Sequence, residues 1–349
     1  MREQEFRAKI TRITFLFSIF VIWVHSYNVD LFSRGDLSPS WESAARIEKF
    51  FSISLGQAAV PGFFMISSYL FFRSYQPEKL LGKWKSRINS IVIPYVVWNI
   101  LYYLGYVTAS RLPFVDKVVG KNPIPFSATE LWEAVFHYKY APIFWYLYQL
   151  IILLILAPVI WYLIRNRYVG ICYLAILLLM VHLHMDCAHP NTDALFYFSS
   201  AAFLAVHGKK LAEEPGNVRR TGAGILLFAV AAGLYVLSTK PGSDVVMTVL
   251  YRFLVPQAVW LMVPERLEKD IPAYMKQSLF LYAIHFIFVR FINKGAAMAG
   301  LSGSASAALL VYFAIPVLVV IFSYITARGL SRYAPAVFRI LSGGRSLDA

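Results

Sequence analysis

Hydrophobic residues in this chain occur in runs of roughly 20, separated by shorter polar segments that hold most of the charge. A helix of that length crosses a hydrocarbon core of about 30 Å. The pattern therefore predicts an all-α fold, a polytopic transmembrane bundle of about ten helices. The predicted spans are 10–32, 51–73, 88–110, 143–164, 168–185, 194–208, 221–238, 244–263, 277–293 and 305–327. The sixth span is short, and the alternative for it is a re-entrant segment.

Composition supports this prediction. Of 349 residues, 58% are hydrophobic and 15% are charged, whereas soluble domains average about 45–50% and 25%. The sequence contains no linker, low-complexity tract or fixed-period repeat that would divide it, so a single membrane domain over 1–349 is expected. The N-terminal apolar run is too long for a signal peptide and lacks a small-residue cleavage site, which predicts a retained first helix.

The net charge of +14 is informative through its distribution. Lys and Arg concentrate in alternate loops, together with both chain ends, which predicts that the N- and C-termini are cytoplasmic. The longest loop, 111–142, is then outside, and its prolines predict an extended or partly re-entrant segment. A nucleic-acid partner is not expected, because no basic and aromatic strand pattern is present.

The first span carries a polar stripe. Thr11, Thr14, Ser18, His25 and Asn28 fall on one helical face. His25 lies about 12 residues, or roughly 18 Å, from the cytoplasmic start of the span. An ionisable group at that depth is costly and by default indicates function. A neutral imidazole can act as a general base, and the alternative is a hydrogen bond to a neighbouring helix.

Two other spans carry candidate chemistry. In the ninth span, Ser278, Tyr282 and His285 share one face, so both histidines could line one cavity, although interhelical hydrogen bonds would use the same spacing. Arg252 lies near the middle of the eighth span. A guanidinium there can hold a phosphate or an oxyanion, or it can form a buried salt bridge or reach the membrane surface.

Polar residues also occur at and after the second span. Gln57 lies on a polar stripe that includes a proline, which is typical of a kinked helix. The loop after this span contains Lys83, Lys85 and Arg87. Such a basic loop either fixes topology and contacts anionic lipid or binds the phosphates of a nucleotide-like donor.

Metal-ligand spacing occurs at one place, the cluster of His182, His184, Asp186 and His189. His182 and His184 would point to different faces of a helix, so no metal site is predicted. The sequence contains no phosphate-binding P-loop, no dinucleotide fingerprint and no nucleophile elbow.

The order of these segments resembles the acyltransferase 3 family of membrane O-acyltransferases, in its stand-alone bacterial form. The segments that carry the resemblance are WVHS, VPGFFMISSYLFF, RINSIVIPYVVWN, FWYLYQLIILLILAPVIWYL, SLFLYAIHFIF and a closing LSGGR. The resemblance implies ten helices in a bacterial cell membrane and an acyl-CoA donor, with acetyl-CoA expected. It also implies, as the acceptor, a hydroxyl of a cell-surface glycan or lipid-linked saccharide.

The family's first-helix motif is an arginine, ten residues and a histidine. His25 matches the histidine, whereas Thr14 stands at the arginine position. Arg12 is about 160° round the helix from Thr14 and does not substitute for the arginine directly. This departure leaves open how the donor is bound.

Roles follow for the named residues. His25 is the expected general base, with Arg252 or His285 stabilising developing charge. The residues expected to bind the coenzyme phosphates are Lys83, Lys85 and Arg87, and those expected to bind substrate are Gln57, Trp145, Ser278 and Tyr282. The alternatives are a transporter or flippase of a lipid-linked saccharide, for which no internal symmetry is evident, and a non-catalytic subunit of surface-polysaccharide assembly.

Overall fold

The computed structural model describes residues 1–36, 38–113, 123–264 and 271–347, and within these residues it contains helices and no β-strand. The α-helices are α1 (Glu3–Ser26), α2 (Val29–Ser33), α3 (Pro39–Lys49), α4 (Ala59–Phe72), α5 (Leu80–Arg87), α6 (Ile93–Ala109), α7 (Ala128–Phe136), α8 (Trp145–Ile155), α9 (Ala157–Ile164), α10 (Arg167–His182), α11 (Thr192–His207), α12 (Lys209–Ala212), α13 (Val218–Ser238), α14 (Val245–Met262), α15 (Ser278–Ala296), α16 (Ala305–Tyr333) and α17 (Pro335–Leu341).

The all-α, polytopic prediction is confirmed. Seven helical stretches of the described residues are long and apolar enough to cross a membrane: Glu3–Ser33, Pro39–Phe72, Pro77–Ala109, Val218–Ser238, Val245–Met262, Ser278–Leu301 and Ala305–Tyr333. The pair α8 and α9, bent by 60°, would be an eighth span. Helices α10 and α11, each 16 residues long, coincide with the fifth and sixth predicted spans. A total of ten crossings and cytoplasmic termini stay predictions.

Exposed apolar surfaces on α13 and on α16 indicate contact with lipid. On α13, Ile225, Leu226 and Val236 are more than half exposed, and on α16 so are Leu310 and Val317. Large aliphatic side chains exposed along whole helices would be unfavourable in water. These faces therefore suit a hydrocarbon environment.

The chain divides into two compact units that are interleaved in sequence. The first unit comprises Met1–Val24, Phe50–Trp84 and Gln149–Met275, and the second comprises His25–Lys49, Lys85–Tyr148 and Lys276–Ala349. That the whole chain forms a single membrane domain stays a prediction.

In the first unit, small residues allow helices to approach closely. A Cβ atom on Gly62 of α4 would overlap the buried Phe17 ring of α1, so any larger residue would force that ring to shift. Ser68 of α4 donates a hydrogen bond to the Phe198 carbonyl of α11, at 2.5 Å. Close contacts of small residues are typical of helix pairs in membranes.

In the second unit, polar contacts tie α6 to α15 and to the end of α17. Tyr102 donates to the Ala283 carbonyl at 2.8 Å, and Trp98 Nε1 donates to the Leu341 carbonyl at 3.0 Å. The long loop contains the helix α7, whose N-terminus is capped by Ser127. Of the two predicted alternatives for this loop, an extended segment is excluded over α7, and a partly re-entrant segment stays a prediction. Residues 114–122 lie outside the described residues.

Candidate functional site

The polar stripe of α1 is largely satisfied within the helix. The hydroxyls of Thr11, Thr14 and Ser18 donate to the carbonyls of Arg7, Ile10 and Thr14, respectively, a common arrangement of Ser and Thr in helices. The Thr14 hydroxyl, at the position of the family's arginine, is thus directed at its own backbone.

Asn28 does not continue this face, because α1 ends at Ser26 and Asn28 precedes α2. Its side-chain amide donates to Asn293 Oδ1 and to the Ala308 carbonyl, each at 3.2 Å. Asn28 therefore belongs to a buried network that holds helices of the second unit together.

The structure brings His25 and His285 together within the second unit. Their ring centroids lie 5.3 Å apart, and the Phe286 ring packs edge-on against His25 at 5.4 Å. His285 is 1% exposed, whereas His25 is partly exposed. Within the described parts of the chain, His25 makes these ring contacts and no hydrogen bond. One imidazole is thus enclosed and the other is accessible.

The contacts of His285 define its tautomer. Its Nδ1 lies 2.5 Å from the Tyr282 carbonyl oxygen. Because a carbonyl only accepts hydrogen bonds, Nδ1 carries the proton, and in the neutral ring Nε2 then has a lone pair. That Nε2 is buried and has no hydrogen-bond partner among the described residues. A buried acceptor without a donor is costly and indicates a group that is supplied by a substrate or by a movement of the site.

Tyr282 and Ser278 lie on the same helix as His285 but have partners of their own. The Tyr282 hydroxyl donates to the Ile143 carbonyl, in the turn just before Trp145 at the start of α8. The Ser278 hydroxyl accepts from Arg345 Nη1 at 3.3 Å. Tyr282 thus holds the turn next to Trp145, and Ser278 contacts Arg345 near the C-terminus.

Arg252 is paired within the first unit. Its guanidinium donates to Gln57 Oε1 and, at 3.3 Å, to the Tyr251 hydroxyl. Two of the predicted residues, Arg252 and Gln57, are therefore in direct contact. The oxyanion role predicted for Arg252 and the substrate role of Gln57 stay predictions.

The basic run on α5 does not form one patch. Lys83 Nζ donates to the Phe71 carbonyl at 2.9 Å and to Ser74 Oγ at 3.2 Å, so it caps the end of α4. Lys85 is exposed, and its position on a helix is nearly opposite that of Arg87. Their role in binding the donor stays a prediction, and Arg87 belongs to the same unit as the histidines.

The histidine cluster near α10 is engaged in other contacts. His182 Nδ1 pairs with Asp244, and the Val246 amide and then His182 hold the pKa of that carboxyl below its usual range. His189 Nδ1 lies 3.3 Å from Gln149 Nε2. The described ranges contain no group of three side chains that could hold a metal ion.

Two charged residues of the second unit were missed from sequence. Glu48 is fully buried, and its Oε2 accepts a hydrogen bond from the backbone N–H of Asn28 at 2.9 Å. The predicted second span began at residue 51, which placed Glu48 in a loop, whereas the helical stretch starts at Pro39. Arg290, five residues beyond His285, donates to the Tyr106 hydroxyl at 2.6 Å. Arg290 lies within the predicted ninth span, 277–293, for which only Ser278, Tyr282 and His285 were predicted to have roles.

Comparison with known proteins agrees with the sequence resemblance. The model of the family Acyl_transf_3, described as an acyltransferase domain, matches residues 13–328. The closing LSGGR lies beyond this match. No curated protein and no solved structure matches the chain. Because the family match covers most of the chain and the fold is a polytopic helix bundle, this protein belongs to the acyltransferase 3 family of membrane acyltransferases.

Proposed function

We propose that this protein is an O-acyltransferase of the bacterial inner membrane that moves an acyl group, in the first instance acetyl, from cytoplasmic acyl-CoA to a hydroxyl. The acceptor is a cell-surface glycan or a lipid-linked saccharide. The observation that carries the proposal is the pair of histidines, one accessible and one buried with a free acceptor nitrogen. This pair can remove and return a proton, which acyl transfer to a hydroxyl requires.

The reaction can be written with these two residues. His25 accepts the proton of the acceptor hydroxyl while the oxygen of that hydroxyl attacks the thioester carbonyl. The tetrahedral intermediate collapses with cleavage of the carbon–sulfur bond, and the proton on His25 passes to the coenzyme A thiolate. A thioester is an activated donor, so positioning and proton transfer account for most of the catalytic demand.

His285 orients and polarises His25 in this scheme. A neutral His25 whose lone pair faces the substrate hydroxyl carries its proton on the other ring nitrogen. The lone pair on His285 Nε2 is a suitable acceptor for that N–H, and a ring separation of 5.3 Å leaves only a change in the His25 side-chain torsions to be made. The logic is that of a catalytic histidine held by a hydrogen-bond acceptor. Because its free nitrogen is an acceptor, neutral His285 does not donate to an oxyanion.

Turnover by the purified protein tests the proposal. The full chain in nanodiscs would be given acetyl-CoA, with and without a bacterial extract of lipid-linked saccharides, and the free coenzyme A thiol would be measured. We expect thiol release that depends on the extract. A protein that moves saccharide across vesicles without consuming any acyl-CoA would be a transporter, and the proposal would be wrong.

A further inference from the structure

Arg290 is an arginine inside a helix that is long and apolar enough to cross the membrane. It lies beyond the middle of α15, in the stretch Ser278–Leu301. Its side chain is partly exposed, whereas Leu281–His285 on the same helix are all buried. Because a guanidinium exposed to hydrocarbon is costly, the exposed part of Arg290 must face water or a polar ligand.

The partners of Arg290 leave its charge without a counter-charge. Its Nη1 donates to the Tyr106 hydroxyl of α6 at 2.6 Å, and its guanidinium carbon lies 5.5 Å from the centroid of the Phe286 ring, one turn earlier on α15. Arg290 forms no ion pair with any residue in the ranges that the structure describes. A guanidinium has five N–H donors, and the hydrogen bond to Tyr106 uses one of them.

The Phe286 ring connects Arg290 to His25. It packs edge-on against His25, with the ring centroids 5.4 Å apart, and it also contacts the Arg290 guanidinium. The three side chains are each partly exposed, and all belong to the second unit. One aromatic ring therefore separates the accessible imidazole from the guanidinium, so a single saccharide ligand can contact both.

The position of Arg290 along α15 favours the acceptor over the acyl donor as its ligand. Arg290 lies five residues after His285, or about 7.5 Å further along the helix axis. The predicted topology directs this end of α15 away from the cytoplasm, which is the donor side in the proposed reaction. Lys294, one turn beyond Arg290, adds a second positive charge on the same helical face.

A ligand with an anionic group would supply the missing counter-charge. The planar guanidinium matches the oxygens of a carboxylate or a phosphate in geometry as well as in charge. From the contacts of Arg290 with Phe286 and Tyr106 we infer that Arg290 binds a carboxylate or phosphate group of the acceptor. The acceptor is then an acidic or phosphorylated saccharide, held by Arg290 while one of its hydroxyls meets His25. This inference rests on the proposed function and specifies its substrate class.

Three matched probes test the inference: octyl glucoside, octyl glucuronide and the 6-phosphate of octyl glucoside. They share an alkyl chain and a sugar ring and differ in the charged group. Isothermal titration would measure their binding to the full-length protein in phosphatidylcholine nanodiscs, below the concentrations at which the probes form micelles. We expect wild type to bind at least one anionic probe about tenfold or more tightly than octyl glucoside, because a charge-assisted hydrogen bond is gained.

Substitutions of Arg290 assign this preference to its charge. R290Q should lose the preference, because glutamine keeps a donor for the Tyr106 hydroxyl but has no charge. R290K should keep part of it, because lysine keeps the charge without the planar fork. R332Q is the control, since Arg332 is exposed and also stacks on a ring, 5.5 Å from the Tyr333 centroid. The control should stay within about twofold of wild type.

Steady-state turnover gives a second readout, which a role in packing would not reproduce. With the bacterial extract as the acceptor, R290Q should raise the KM for the acceptor by about tenfold and leave the KM for acetyl-CoA unchanged. An equal effect on both substrates, together with a lower unfolding temperature, would show that Arg290 serves the structure and does not bind the acceptor.

Three binding results would overturn the inference. Wild type that shows no preference for either anionic probe has no anion site, and R290Q that retains the preference places the site elsewhere. If phosphatidylglycerol in the nanodiscs abolishes the preference of wild type, the site holds a lipid headgroup instead of the acceptor. None of these results depends on acetyl-CoA, so a failure to release thiol would overturn the proposed function separately.

Discussion

At the scale of single residues, the two nitrogens of His285 have different environments. Nδ1 donates to the Tyr282 carbonyl, while Nε2 is buried with no partner in the part of the chain that the structure describes. A histidine with a purely structural role would be expected to use both nitrogens, since each unmet buried group costs about 1–3 kcal/mol. The free nitrogen beside His25 therefore points to a chemical role.

Replacement of His285 by Asn separates the two nitrogens. The Asn amide can still donate to the Tyr282 carbonyl in place of Nδ1, but it supplies nothing at the position of Nε2. We expect H285N to keep the thermal stability of wild type and to lose about 10²-fold in acetyl-CoA turnover. Normal turnover with lowered stability would indicate that His285 serves packing alone.

Sequence was sufficient to single out both histidines, because ionisable residues deep in apolar helices are rare and their helical faces follow from spacing. It was not sufficient for Arg345, which looked like one of several basic residues near a terminus. What distinguishes Arg345 is a long-range hydrogen bond to Ser278. Such contacts do not follow from local periodicity.

At the scale of helices, the contact of α1 with α4 depends on Gly62. A methyl group there would overlap the buried Phe17 ring, at 2.2 Å from the nearest atom. We expect G62A to destabilise the protein by about 1–3 kcal/mol, as overpacked cores do. G233A on α13 is the control, because nothing lies within 4 Å of its Cβ position. Thermal unfolding in detergent would compare G62A with G233A. An equal loss of stability in the two variants would contradict the close approach of α1 to α4.

A charged group ties α1, α4 and α12 together within the first unit. Arg73 contacts Glu3 at 2.8 Å and Glu213 at 2.6 Å, and Tyr69 also donates to Glu213. Burial raises the pKa of Glu213, but the hydrogen bonds from Arg73 and Tyr69 lower it by more, so that the pKa lies below that of an ordinary glutamate. The ionised form is therefore favoured in the folded state, and its contribution to stability is present above the unfolded pKa.

We expect E213Q to lower the free energy of unfolding by about 1–3 kcal/mol at neutral pH, because it removes the ionised partner of a half-buried arginine. The difference from wild type should begin to shrink as the pH falls through the pKa of an ordinary glutamate, and it should disappear once Glu213 is protonated in the folded state as well. Unfolding followed against pH would measure both effects. A difference that is constant with pH would exclude an electrostatic origin.

The sequence predicted where the helices lie better than it predicted where they bend or begin. The fourth span was predicted as one helix over 143–164, but it is two helices bent by 60°. Pro158 near the start of α9 explains the bend, because proline lacks a donor and clashes with the preceding turn. The second span starts earlier than predicted, since α3 has mixed polar and apolar residues that hydropathy does not detect.

At the scale of the whole molecule, the distribution of Lys and Arg predicts which chain ends share a side of the membrane. Reporter fusions at each terminus and within 111–142 would measure this. We expect cytoplasmic activity at both termini and external activity in the loop. An external terminus would place the donor on the wrong side and contradict the proposed reaction.

The division into two units could not be predicted from the sequence. Each unit combines segments that are far apart in the chain, and the second joins the end of α1 to α15 and α16. Hydropathy identifies individual helices but does not determine which helices pack together. The pairing of His25 with His285, 260 residues apart in sequence, arises from that packing.

The most direct test of the account is acetyl-CoA turnover by H25Q beside wild type, with both proteins shown to be folded in nanodiscs. Gln keeps similar size and hydrogen bonding but does not accept the proton. If His25 is the general base, turnover should fall by about 10²–10⁴-fold. If H25Q retains more than about a tenth of wild-type turnover, His25 is not the base, and the role would pass to His285.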